Sequence, residues 1–170
     1  MYTLKNDLLA IKVKEHGAEL AGIVKGSTEY LWQADPAFWG RHSPVLFPIV
    51  GSVWDKKYRV GGREFELGQH GFARDMDFIL INMTETEIRF RLESDEDTLK
   101  KYPWPFVLEI AYRLEGSKVH VIWTVMNPGK EDMYFQIGAH PAFYYPDYDP
   151  RPRKGDTSHL TAAKAWSASE

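Results

Sequence analysis

The sequence predicts an all-β fold, an antiparallel sandwich or barrel, from three observations. Several short runs alternate apolar and polar residues strictly, Gly- and Pro-marked turns recur about every 8–12 residues, and helical periodicity is confined to one short stretch. No βαβ alternation and no internal repeat break that pattern.

Each element has its own justification. Leu8–Val13 and Leu20–Val24 read as strands from their apolar spacing. Tyr58–Val60 and Glu64–Leu67 flank Gly61-Gly62, which predicts a tight hairpin because glycine adopts positive φ without steric cost. Met76–Ile81 is a further strand candidate. Glu87–Glu93 sets Ile88, Phe90 and Leu92 on one face and charges on the other, the period of a half-buried strand. Asp97–Tyr102 is the one helix expected, with a cap in Ser94-Asp95 and a stop at Pro103. Phe106–Leu114 and Lys118–Val125 alternate again across a Glu115-Gly116-Ser117 turn, with Val119, Val121, Trp123 and Val125 on one face. Met133–Ile137 completes the expected strands.

Composition bounds the function classes. A chain of 170 residues with 44% hydrophobic and 26% charged residues suits one globular domain and argues against disorder. A net charge of −3 gives no reason to expect nucleic acid or an acidic membrane as partner. The lack of cysteine removes disulfides, thiolate metal sites and a cysteine nucleophile. No apolar run approaches the roughly 20 residues of a membrane span, and Met1–Asp7 lacks a signal peptide's apolar segment, so a cytoplasmic protein is expected.

Two segments break the strand pattern: Trp32–Val53, with three prolines and an Arg-His pair, and Gln136–Pro146. Both are too apolar for a solvated loop and too Pro-rich for a central strand, as segments lining a concave site often are. Three of the six histidines, His42, His70 and His140, sit in such Gly/Pro/aromatic surroundings. Pro141 biases His140 to an extended backbone. An imidazole fixed in this way suits general acid or base work near neutral pH; a hydrogen-bonded core histidine is the competing reading. His16 beside Gly17 and His120 on the outer side of its strand read as surface residues, and His159 carries no local signal. The histidine spacing offers no metal site, and neither a nucleophile elbow nor a phosphate loop is present. Asp75 is placed either to pair Arg74 or to orient a histidine. Trp32, Trp39, Phe47, Trp54, Trp104 and Phe143 offer faces for stacking on a sugar, or are core. Arg41 carries the five-donor fork suited to hydroxyls or carboxylates.

Taken together, Tyr30–Gln33, Trp39–Gly51, His70-Gly-Phe-Ala-Arg74, Asn127-Pro128 and Gly138-Ala-His-Pro-Ala-Phe143 resemble the aldose 1-epimerase, or galactose mutarotase-like, family. The two histidine motifs, in this order and at this separation, carry most of the specificity. The resemblance implies an antiparallel β-sandwich of the mutarotase supersandwich type, and interconversion of α and β anomers of an aldohexose without cofactor or metal. It implies that His140 is the general acid at the ring oxygen, that His70 assists there, and that Arg41, with His42, binds substrate. The partner implied is a small sugar, with or without phosphate. A non-catalytic carbohydrate-binding module is the alternative.

The resemblance covers the N-terminal part of the family's fold, residues 1–146, so the sandwich is expected to be incomplete and the family's base glutamate has no counterpart here. Residues 147–170, without Val, Ile, Phe or Met, read as an atypical polar tail and an abnormal or truncated end. Open sheet edges then point to a homo-oligomer.

Overall fold

Alternation of inward apolar and outward polar residues builds two four-stranded antiparallel sheets that face each other across a single core. The computed structural model describes residues 1–144; the expected tail, residues 147–170, lies outside the described residues. The first sheet runs in chain order through β1 (Tyr2–Lys5), β2 (Ala10–Val13), β3 (Leu20–Lys25) and β4 (Thr28–Glu29). β5 (Val45–Leu46) follows, then a hairpin of β6 (Lys57–Val60) and β7 (Arg63–Glu66). Gly61 and Gly62 form its turn at φ 55° and 77°, a conformation that glycine adopts freely. The second sheet contains β8 (Ile79–Met83), β9 (Glu87–Glu93), β10 (Val107–Glu115) and β11 (Lys118–Met126), in the order β11-β10-β9-β8. β12 (Gly138–Ala139) returns to pair with β5. No helix among the described residues is long and apolar enough to cross a membrane.

The inward faces match the alternation. Ile88, Phe90, Leu108 and Ile110 are fully buried and meet Leu4, Ile11 and Val13 of the first sheet in one cluster. Each such side chain contributes about 1.5–3 kcal/mol of burial free energy. Tyr2 and Phe90 pack edge to face across the gap at 5.5 Å. Tyr112 donates its hydroxyl hydrogen bond to the Ala18 carbonyl at 2.7 Å, so this buried hydroxyl is satisfied by the turn that leads into β3 of the opposite sheet. On the outer face, Glu109 sits between Arg89 at 3.1 Å and Arg91 at 2.7 Å. Burial opposes its charge, yet the two guanidinium groups hold its carboxyl below the usual range.

The helix forms as α1 (Glu96–Lys101). Asp95 accepts the Thr98 backbone N–H and the Thr98 hydroxyl group answers at the Asp95 backbone N–H, a reciprocal cap that the Ser94-Asp95 signal anticipates.

One expectation, the shared face of β11, holds with a qualification, and two are revised. Val119, Trp123 and Val125 face the core side but are only half-buried, and Val121 is 43% exposed, because among the described residues β11 is an edge strand paired with β10 alone. The Met76–Ile81 strand begins only at Ile79. Before it, Met76 accepts from the Gly17 N–H and Phe78 donates to the Glu15 carbonyl, so the chain is still bonded to the first sheet's turn there. Met133–Ile137 forms no strand. It runs past a segment in which Pro44 and Pro48 lack N–H donors, which limits the ladder to the two residues of β12 and β5.

Candidate functional site

Three loop segments converge at one end of the molecule, and backbone hydrogen bonds fix their mutual register. Pairing of β12 with β5 lays residues 138–142 along residues 42–46. The His140 N–H donates to the Pro44 carbonyl at 3.1 Å and the Ala142 N–H to the His42 carbonyl at 3.0 Å. The 69–75 segment docks on the other side of the same strip, where the Phe72 N–H reaches the Phe47 carbonyl at 3.0 Å. Gly71 makes that approach feasible: at φ 70° a Cβ there would lie 2.2 Å from the Phe47 oxygen.

This convergence brings together the two histidines singled out in the sequence. The His70 and His140 rings lie nearly parallel, 22° apart, with centroids separated by 6.5 Å. Trp39 meets His140 edge to face at 5.3 Å. His70 is held at φ 65° by a two-way clasp with Gly51: its N–H donates to the Gly51 carbonyl at 2.7 Å, and its Nδ1 accepts the Gly51 N–H at 2.9 Å. Because Nδ1 accepts, the neutral ring carries its proton on Nε2, leaving an imidazole N–H donor. Burial, then the positive charge of Arg74 and the neighbouring His140, lowers the His70 pKa below the ordinary histidine value. His140 is solvent-exposed, at the end of β12.

Arg41 stands at the rim of a cleft of about 360 Å³ formed with Trp39, Arg74 and Asp75. Asp75 takes one guanidinium nitrogen, Nη2, at 2.7 Å and lies 3.6 Å from Arg74 Nε. The sequence left Asp75 between Arg74 and a histidine; the structure gives it to the two arginines. A larger depression, about 700 Å³, lies beside Tyr2, His16 and Asp77, and His70 and His140 line neither of the two. There His16 and Asp77 form an exposed pair at 2.7 Å.

His42, expected at the substrate, is 8% exposed. Lys14 Nζ lies 3.2 Å from its Nδ1, and Glu19 Oε2 lies 3.4 Å from the same atom. Burial, then the charge of Lys14, lowers its pKa. Glu19 is the residue that sequence reasoning passed over. The only signal was a carboxylate set directly before an apolar strand, in Gly17-Ala18-Glu19-Leu20. Among the described residues, no group of three or more histidines and carboxylates is arranged to hold a metal.

Comparison with known proteins adds an independent line. Residues 1–162 match the sequence pattern of the family described as Aldose 1-epimerase, which runs past Pro146. The chain is 38% identical over 150 residues to the chromosomal LacX protein of Lactococcus lactis subsp. lactis, covering 84% of this chain and 50% of that one. Among solved structures, a galactose mutarotase related enzyme from Lactobacillus acidophilus superposes with a TM-score of 0.84 at 39% identity, over 90% of this chain and 51% of that chain. A galactose mutarotase-like protein from Lactobacillus casei gives a TM-score of 0.81 at 37% identity, over 84% and 49% of the two chains. The chain spans about half the length of the curated relatives it matches.

Proposed function

Because the chain belongs to the aldose 1-epimerase family, we propose that it carries the acid half of a site interconverting the α and β anomers of an aldohexose. The observation that supports this most directly is the His70–His140 ring pair beside Trp39. His140 serves as the general acid, delivering its proton to the sugar ring oxygen as the C1–O5 bond breaks. His70, through its Nε2–H, donates a hydrogen bond near the same oxygen. A base removes the anomeric hydroxyl proton, giving the open-chain aldehyde. Rotation about C1–C2 presents the other face, and the steps reverse to close the ring. Arg41 keeps donors available for a sugar hydroxyl beyond the one given to Asp75. His42, buried and bonded through its backbone to Glu19 and Ala142, supports the segment that carries Arg41. No base is assigned within this chain. The reading carries with it a cytoplasmic location and a free or phosphorylated aldose as partner, without a cofactor.

A second reading, carbohydrate binding without catalysis, is favoured by one observation. Among the described residues, the hydrogen bond made by a ring of the histidine pair is that of His70 Nδ1 with the Gly51 N–H, and no carboxylate is bonded to either ring.

Polarimetry on the purified 170-residue chain tests the choice. Anomer equilibration of glucose or galactose is expected to exceed the buffer rate, and His140→Ala should remove about 10²–10⁴-fold of the acceleration. Wild-type rates equal to buffer would sink catalysis by this chain. Calorimetric heat with a hexose under those conditions would then establish the binding reading.

A further inference from the structure

Glu19 is a carboxylate buried among polar atoms rather than among solvent. It precedes β3 on a turn whose placement is fixed from two sides. Tyr112 holds the Ala18 carbonyl, and Gly17, at φ 70°, packs so closely on the Arg74 backbone that a Cβ there would lie 2.8 Å from the Arg74 oxygen. Only 8% of Glu19 is exposed. Its Oε1 accepts two successive backbone N–H groups, from His42 at 2.8 Å and Ser43 at 3.1 Å. Its Oε2 faces Lys14 Nζ at 3.3 Å and His42 Nδ1 at 3.4 Å. The segment it grips passes its own carbonyls to the opposite side. There the His42 carbonyl receives the Ala142 N–H and the Pro44 carbonyl receives the His140 N–H.

The hydrogen bonds therefore run in sequence from the Glu19 carboxylate, through residues 42–44, to the backbone on either side of the His140 imidazole. Arg41 enters the same strip one residue earlier. We infer that Glu19 is a positioning residue for the histidine site: its carboxylate sets the register of residues 41–44 and thereby the placement of His140 and Arg41. The inference rests on the anomer-interconversion reading for its functional meaning, but its structural content stands separately. Strand ladders supply only part of this register: β5 and β12 share two residue pairs, and a single Leu31–Phe143 bridge with its flanking Trp32–Ala142 and Tyr144–Tyr30 hydrogen bonds holds the far end of the His140 strip. A loop with that little pairing needs an acceptor for its inward N–H groups, and a charged acceptor bonds two such donors more strongly than a neutral one. Lys14 completes the arrangement by meeting the remaining oxygen.

Glu19→Gln keeps the shape and replaces one acceptor oxygen with an amide that donates. Either the His42 and Ser43 N–H groups or the Lys14 ammonium then faces another donor. Amide hydrogen exchange on the full chain is the decisive measurement, because it needs no turnover. In Glu19→Gln, exchange at His42, Ser43, His140 and Ala142 is expected to rise at least about tenfold together, while amides of β10 keep their wild-type protection. Uniform loosening of the whole chain, or no change at His140 and Ala142, would overturn the inference. Should the variant fail to fold, wild-type exchange decides instead: the four amides are expected to open with one common equilibrium constant, and independent opening would refute the linkage. In polarimetry, the positioning role predicts lower kcat with KM raised through Arg41. An inactive wild-type chain would refute the anomer reading and leave the exchange result to judge Glu19 alone.

Discussion

At the scale of single residues, the site is held by a few backbone positions that accept no substitute. Gly71→Ala puts a methyl group into the Phe47 carbonyl at a positive φ. The expected loss of stability, read from denaturant unfolding, well exceeds the roughly 1 kcal/mol of an unobstructed glycine position. His70 gives a prediction in pH. Its pKa is lowered in the fold by burial first and then by Arg74 and His140, as that of His42 is by burial and Lys14. Both rings therefore bind protons less readily folded than unfolded. Their neutral-state stabilisation is fully present above about pH 6.5, the unfolded histidine value, and is lost as pH falls through the lower folded values. The melting temperature should accordingly drop between pH 7.5 and 5, and His70→Asn should flatten that slope, since asparagine tolerates the left-handed backbone without the ring. A slope unchanged in His70→Asn would remove His70 from the account.

Secondary-structure elements were legible in the sequence to the extent that their partners were local. Ile88, Phe90 and Leu92 declared the inner face of β9 because a two-residue period has only one burial solution. The cap of α1 was equally readable. Asp95→Ala is expected to cost about 1 kcal/mol, measurable as a shift in urea midpoint with unchanged slope. What alternation left open was the environment of each face. Val121 obeys the same period as Ile110, yet it is 43% exposed where Ile110 is 0%, because the number of neighbouring strands is a property of topology. The site shows the same division. His70 and His140 stood out through their Gly and Pro neighbours, whereas the burial of His42 and the clasp by Glu19 depend on residues more than 20 positions apart. No local pattern encodes such a contact.

For the whole molecule, the two edges of the second sheet differ in how they are protected. β8 carries an irregularity between Leu80 and Asn82 that interrupts its pairing. β11 runs nine residues in unbroken register with β10 and has no proline, and Lys118 at its start is its one fixed charge. An edge of that kind is a template for strand addition. The 170-residue chain is expected to self-associate through β11, so that light scattering returns a mass above the 19.6 kDa of one chain. Val121→Lys should return it to the single-chain mass, since a charged outward residue disfavours edge pairing. A wild-type mass of one chain would show that the edge is already blunted.

The bond from Tyr112 to Ala18 has a meaning in time as well as in space. Within each four-stranded sheet every paired strand is a neighbour in sequence, so both sheets can assemble by closing short hairpins. The Tyr112 hydroxyl and the Ala18 carbonyl are 94 residues apart, and no hairpin brings them together. Their hydrogen bond closes only when the sheets meet. It therefore marks the step at which two locally formed sheets become one core, and at which the turn bearing Glu19 first comes to rest.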